Sequence, residues 1–279
     1  MKKKKFSDIK KSWWKYVLAI FLIVIYLFPI YVLVVMSLKE RTDFSSRLLP
    51  PTYLYLDNFT KVIENGQFFS AVKNTLIIST VTVFSEVVFG CAAAYPLSRN
   101  RDKFNNVIYS LCLGVMMVPA LSILVGVYTE MVKLDGINHL WSAIVIGVCY
   151  GLPLSINMYV NFITAIPVSL DEAAIIDGAG CLKTFWYVIM PQLKPVTTSI
   201  IILKFVSAWN DYLYPSYFLQ KPSKYTLVLL IKQYFGSSTS SVDLNGAAAV
   251  AVLCIAPIII LYLYLQKYFI QGQIDSAVK

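Results

Sequence analysis

Long apolar runs, uninterrupted rather than alternating, dominate the chain. Tyr16–Met36 is 21 residues without a charge, and comparable runs recur over Asn74–Ala94, Val107–Tyr128, Leu140–Ile163, Val196–Phe218 and Ala247–Leu265. About 20 apolar residues in a helix cross a ~30 Å hydrocarbon core. Lipid offers the backbone no hydrogen-bond partner, so a spanning segment is a helix or part of a closed barrel. Barrel strands alternate polar and apolar positions, and these runs do not. The pattern predicts an all-α membrane protein with six transmembrane helices. Pro119, Pro153, Pro215 and Pro257 fall within or near the runs and are expected to bend them.

Composition agrees: 58% of residues are hydrophobic, 14% are charged and the mean hydropathy is +0.66. The net charge of +9 comes largely from the start of the chain. Seven of the 24 basic residues (Lys2, Lys3, Lys4, Lys5, Lys10, Lys11 and Lys15) precede the first run. They read as a cytoplasmic anchor beside anionic lipid. Nucleic acid is excluded as a partner, because no aromatic stacking platform accompanies these lysines. With the N-terminus inside, fourteen basic residues fall on the inner side and nine on the outer. Both termini and the 164–195 loop then face the cytoplasm, in a multi-pass membrane protein. The first run is too long for a signal-peptide core and no small-x-small site follows it, so it is expected to remain as a span. The expected organisation is a basic N-terminus (1–15), a six-span membrane domain (16–269) with the 164–195 loop between spans four and five, and a short cytoplasmic tail (270–279).

Little metal or redox chemistry is on offer. Cys91, Cys112, Cys149, Cys181 and Cys254 form no CxxC pair, and His139 has no neighbour to share a metal with. The chain has no G-x-x-x-x-G-K-[ST], so it carries no phosphate-cradling loop of its own. No catalytic residue and no metal site are predicted.

One polar stretch stands out: Ile166 to Pro195, IPVSLDEAAIIDGAGCLKTFWYVIMPQLKP. Ser169 and Glu172 have the spacing of a capping box, with Ser169 as N-cap. Gly178 and Gly180 are expected to end that helix. A second short helix, about 181–190, is expected to stop at Pro191. On shape alone, a knob of two short helices and an ordinary capped connecting loop are equally consistent with this stretch.

The letters are more specific. Glu172, Ala173 and Ala174, then Gly178 six positions after the Glu, then Pro191 closing an I-x-L-P-like step resemble the signature loop of ABC importer permeases. Val188 and Met190 stand where Ile and Leu are usual. Asp177-Gly178-Ala179, together with NTLIIST at 74–80, AAAYPLSRNR at 92–101 and SAWNDYLYP at 207–215, resembles the carbohydrate-uptake branch. Within it the chain looks most like the second six-span permease of maltose-type systems. The resemblance implies a type I ABC importer permease fold with a cytoplasmic coupling-helix loop. It implies a heterodimer with a second permease subunit, two cytoplasmic ATPase subunits that bind ATP and Mg, and an extracytoplasmic sugar-binding protein. It also implies that Ser169, Asp171, Glu172, Ala173, Ala174, Asp177, Gly178, Ala179 and Pro191 form the ATPase-docking surface, and that the chain is no enzyme.

Ionisable groups inside the runs need separate accounts. Glu86 and Lys204 lie at matching depths, each about 12 Å from the inner edge at 1.5 Å per residue. They are candidates for an intramembrane ion pair; the alternative is separate partners, or a Lys204 that reaches the inner surface. Trp209, Asn210, Asp211 and Tyr214 suit a sugar path, since rings stack on C–H faces and polar groups take hydroxyls. An interfacial aromatic belt with polar packing explains the same residues equally well. Two other functions remain open: an ABC importer of peptide, amino acid or ion, and an ion-coupled secondary transporter using Glu86 or Asp211, although no internal repeat is visible.

Overall fold

The structure is a computed structural model that describes residues 13–100, 102–235 and 242–277. Lys2, Lys3, Lys4, Lys5, Lys10, Lys11, Arg101 and Lys279 lie outside the described residues. All regular structure among the described residues is helical. In chain order the main helices are α1 (Trp13–Ser37), α2 (Asp57–Glu64), α3 (Gln67–Arg99), α4 (Lys103–Met116), α5 (Leu124–Lys133) and α6 (Leu140–Ala165). They continue as α7 (Ser169–Ile176), α8 (Cys181–Gln192), α9 (Lys194–Trp209), α10 (Leu213–Phe218), α11 (Leu227–Tyr234) and α12 (Leu244–Ala277).

Four helices are long and apolar enough to span: α1, α3, α6 and α12, the last counted over Leu244–Leu263. The count reaches six when two bent pairs are each taken as one span. The expected third span is one of these: α4 and Ala120–Lys133 meet at 96°. Pro119 explains the break. It lacks an N–H, its ring collides with the carbonyl four residues earlier, and it pushes Val118 out of the helical region. A short 3₁₀ turn, Ala120–Ile123, restarts the chain. The second bent pair joins α8 to the fifth span at 71°. The fifth span itself ends early, at Trp209, and resumes at Leu213. Pro215 removes the donor that the Asp211 carbonyl would need. The Asp211 carboxylate instead accepts the Leu213 amide at 3.1 Å, a local bond that competes with helix.

The chain divides into two compact units. The first combines Met1–Gly66 with Ile231–Cys254. It is organised by side-chain amides that tie down the carbonyls left open where α1 ends. The Asn58 Nδ2 donates to the carbonyls of Ser37 and Lys39 at 2.9 and 2.8 Å, and the Asn245 Nδ2 donates to Met36 and Lys39 at 3.1 and 2.8 Å. Helix α2 takes Asp57 as its first residue and Leu56 as its cap.

The second unit, Gln67–Leu230 with Ile255–Lys279, is built on the packing of α3 against α6. Thr82 lies opposite Gly147, Glu86 opposite Gly151, and Gly90 opposite Ser155 and Tyr159. Small residues one turn apart let two backbones approach closely, which is how helices associate in lipid without a hydrophobic driving force between them. A buried cluster continues inward from this seam: Cys91, Ala94, Ile156, Tyr159, Ile163, Phe185, Ile189, Leu193 and Ile200. That cluster fixes α8 to the C-terminal ends of α3 and α6.

Candidate functional site

Two sites, at different depths in the second unit, hold the residues singled out by sequence. The first is the 166–195 stretch. Helix α7 forms there, but one position earlier than a Ser169 cap requires. Val168 is the cap residue, already helical at φ −63°, and no side chain caps the helix. The cause is Pro167, whose carbonyl accepts the Leu170 amide and closes a turn ahead of Ser169. Gly178 ends α7 with φ +79°, a left-handed conformation in which a Cβ is costly. Gly180 instead caps α8 in an extended conformation. Helix α8 does not stop at Pro191: the residues Phe185–Ile189 widen into a π turn and the helix runs on through Pro191 to Gln192. Such a local widening accommodates a proline without breaking the helix.

Helix α7 has two faces. Glu172, Ala173, Ile176 and Asp177 are exposed, as are Ser169 and Gly178. Ile176 in particular is 85% exposed. Pro191 on α8 is exposed, and Ala179 is half-buried. Asp171 and Ala174, however, point inward; both are 7% exposed. This corrects their expected place on the docking surface. An ionised carboxylate is buried only if it is paired, and Asp171 is. Its Oδ1 accepts the Tyr95 hydroxyl at 2.7 Å and its Oδ2 accepts the Arg99 Nη2 at 2.8 Å. Arg99 also donates through Nη1 to the Ile166 carbonyl at 3.1 Å. Tyr95 and Arg99 were part of a recognised stretch but had no role by sequence. A lone Arg at the end of a span gave a weak signal, and its partner lies 72 residues away.

The second site lies within the membrane. The Lys204 Nζ is 3.0 Å from the Glu86 Oε2, and both side chains are buried. The Ser155 hydroxyl donates to the same Oε2 at 2.7 Å, and Lys204 donates to the Gly151 carbonyl at 2.6 Å. Three helices, α3, α6 and α9, thus meet at one charged knot. The knot borders a cavity of about 380 Å³ that is also lined by Thr82, Tyr150, Ser207, Asp211 and Tyr214. The four aromatic and polar residues expected along a path are therefore split. Asp211 and Tyr214 line the cavity. Trp209 is buried and stacks on Phe205, while the exposed Asn210 bonds back to the Val206 carbonyl at 2.8 Å. The helix break at 210–212 separates them, because a turn that ends at Asn210 no longer carries Tyr214 onto the same face.

Spanning helices that meet at a buried charged knot, with two short helices packed at their ends, are the architecture of a polytopic membrane protein. Residues 86–274 match the family described as "Binding-protein-dependent transport system inner membrane component", and the chain belongs to it. It is thus an ABC importer permease of the inner membrane, a transport component and not an enzyme. It is 37% identical over 252 residues to the melibiose/raffinose/stachyose import permease protein MelC of Bacillus subtilis, covering 90% of this chain and 91% of that one. It is 34% identical over 273 residues to the multiple sugar-binding transport system permease protein MsmG of Streptococcus mutans, covering 95% and 96%. Its fold matches a chain of a bacterial ABC transporter that imports the acidic polysaccharide alginate, with a TM-score of 0.81 at 25% identity over 94% of this chain and 98% of that one.

Proposed function

We propose that this chain is one of two permease subunits of an ATP-driven sugar importer, and that a separate ATPase docks on the outward face of α7. The observation that carries the docking is the free face itself: Glu172, Ala173, Ile176 and Asp177 stand exposed on a short helix between Pro167 and Gly178. The ATPase subunits would hold ATP and Mg; this sequence has no G-x-x-x-x-G-K-[ST] loop of its own. A second permease would face this one, with N- and C-termini of this chain in the cytoplasm. The apolar side chains of α1 from Trp13 to Phe28 are exposed and would meet lipid or that partner. An extracytoplasmic binding protein would deliver the sugar.

Closure of the ATPases on ATP would draw the docking helices together and open the spans outward; hydrolysis would reset them. The cavity beside Glu86 and Lys204 is the part of this chain suited to the sugar path. Asp211 offers an acceptor for hydroxyls, and the Tyr150 and Tyr214 rings offer flat apolar faces. The names of the relatives support a carbohydrate as cargo.

The test is uptake by the reconstituted complex, with labelled mono- and oligosaccharides, amino acids, peptides and phosphate offered in turn, with and without ATP. ATP-dependent entry of an oligosaccharide alone is expected. Transport of a peptide, amino acid or ion in its place, or transport driven by an ion gradient without ATP, would overturn the assignment.

A further inference from the structure

The geometry points to Asp171 as a transmission residue: bridged to Arg99 and Tyr95, it makes α7 move as one body with the inner end of α3. The inference rests on the docking role proposed for α7 and adds where the motion goes next.

The bridge joins two elements at adjacent turns. Arg99 is the last residue of α3 and Tyr95 lies one turn before it. Both bind the same carboxylate, one oxygen each, at 2.8 and 2.7 Å. Charge-assisted bonds of this kind are short and directional, so they resist sliding as well as separation. Arg99 also holds the Ile166 carbonyl at the end of α6. One guanidinium therefore spans the α6–α7 corner and fixes it to α3.

Apolar packing directly between α7 and α3 is interrupted. Between α7 and the inner end of α3 lies a cavity of about 780 Å³, lined by Tyr95, Arg99, Val168, Asp171, Phe185 and Trp186 among others. Helix α8 meets α3 through the buried cluster that holds Phe185 and Ile189, with the Tyr95 ring 5.3 Å from Phe185 between centroids, but the void separates α7 from α3. Where side chains do not interlock, a displacement of α7 is absorbed by the void unless a bonded link carries it. Asp171 supplies that link, while Glu172 on the opposite face of the helix stays free for the ATPase.

The continuation is physical. Helix α3 runs 13 residues from Arg99 back to Glu86, about 20 Å at 1.5 Å per residue. Glu86 is bonded to Lys204 on α9 and to Ser155 on α6. A shift of α7 thus reaches the intramembrane knot through one continuous helix, which holds Pro96 near its end, with a polar bond at each end, a contiguous network of the kind that carries coupling between sites.

The test compares Asp171→Asn, Arg99→Ala, the swap Asp171→Arg with Arg99→Asp, and Glu172→Lys. Each is made in the full complex of both permeases, ATPase and binding protein in proteoliposomes. Three quantities are read: ATPase retained on purification, ATP hydrolysis rate, and sugar taken up per ATP hydrolysed. Asp171→Asn and Arg99→Ala should keep the ATPase bound and hydrolysing, but lower uptake per ATP by at least about fivefold. The swap should recover part of the loss, because it restores a bridge of reversed polarity. Tyr95→Phe keeps the ring on Phe185 and should give a smaller drop. Unchanged uptake per ATP in both single variants would overturn the inference. So would loss of the ATPase from the Asp171→Asn complex, since Asp171 would then belong to the docking surface. A Glu172→Lys complex that keeps its ATPase and full uptake would instead sink the docking role of α7, and the transmission role with it.

Discussion

The Lys204 ammonium sits 3.0 Å from the Glu86 carboxylate, and that carboxylate fills the space a side chain on residue 151 would need. Two charges can lie this deep because each is bonded on more than one side. Breaking such a buried pair by removing one partner costs about 3–5 kcal/mol, because the other charge is left uncompensated. Glu86→Gln and Lys204→Met should each lower the thermal unfolding midpoint of the detergent-solubilised chain markedly. The doubly neutral variant should be less destabilised than the sum of the two. Additive losses in a double-mutant cycle would show that the pair does not interact.

Gly151 is expected to be intolerant for the same reason. A Cβ there overlaps the Glu86 carboxylate. Gly151→Ala should destabilise by about 1–3 kcal/mol, the range for forced overpacking. In a Glu86→Ala background the same change should cost far less. Equal costs in both backgrounds would mean that the close approach of α6 and α3, rather than the carboxylate, sets the limit.

Gly178 should respond to backbone conformation alone. Its φ is +79° and an added Cβ would meet nothing within 4 Å. Gly178→Ala should cost about 1 kcal/mol and Gly178→Val more, while Gly178→Asn is tolerated best. The readout is ATP-driven uptake, with ATPase co-purification measured alongside. A ranking by side-chain volume instead would point to a steric clash with the docked partner.

Asn58 should hold the loop that follows α1 in place. Its buried amide serves two carbonyls at the end of α1. Asn58→Leu should cost about 2 kcal/mol locally, because those carbonyls lose a partner in a dry site. Faster amide exchange over residues 37–58, with none over α6, is the expected pattern. Unchanged protection would show that Asn245 alone suffices.

Asp43 gives a pH prediction. The Ser45 hydroxyl, then the Ser45 amide and the Tyr53 hydroxyl, bond its carboxylate and lower its pKa from 3.8 to about 2. A lowered carboxyl pKa favours the folded loop above pH 3.8, and that support disappears as pH falls through about 2. Aspartate-selective carbon NMR should show one carboxyl titrating near 2, and Tyr53→Phe should move it upward. A midpoint near 3.8 in the wild type would remove the bonded arrangement from consideration.

Sequence alone determined the class of this protein and the place of the short helix α7. Apolar runs longer than a bilayer core leave few alternatives to spanning helices, and the EAA-to-Gly178 spacing is local, so both could be read along the chain. The equal depths of Glu86 and Lys204 were legible because helical rise is a constant. Tertiary structure decided the rest. It turned Asp171 inward onto Arg99, broke the fifth span between Trp209 and Leu213, and sent Trp209 and Tyr214 to different surroundings. Those outcomes depend on which groups meet across 50 or more residues, and on how a proline's missing donor is compensated nearby. A linear pattern fixes how far along a helix a residue lies; only packing fixes what it faces.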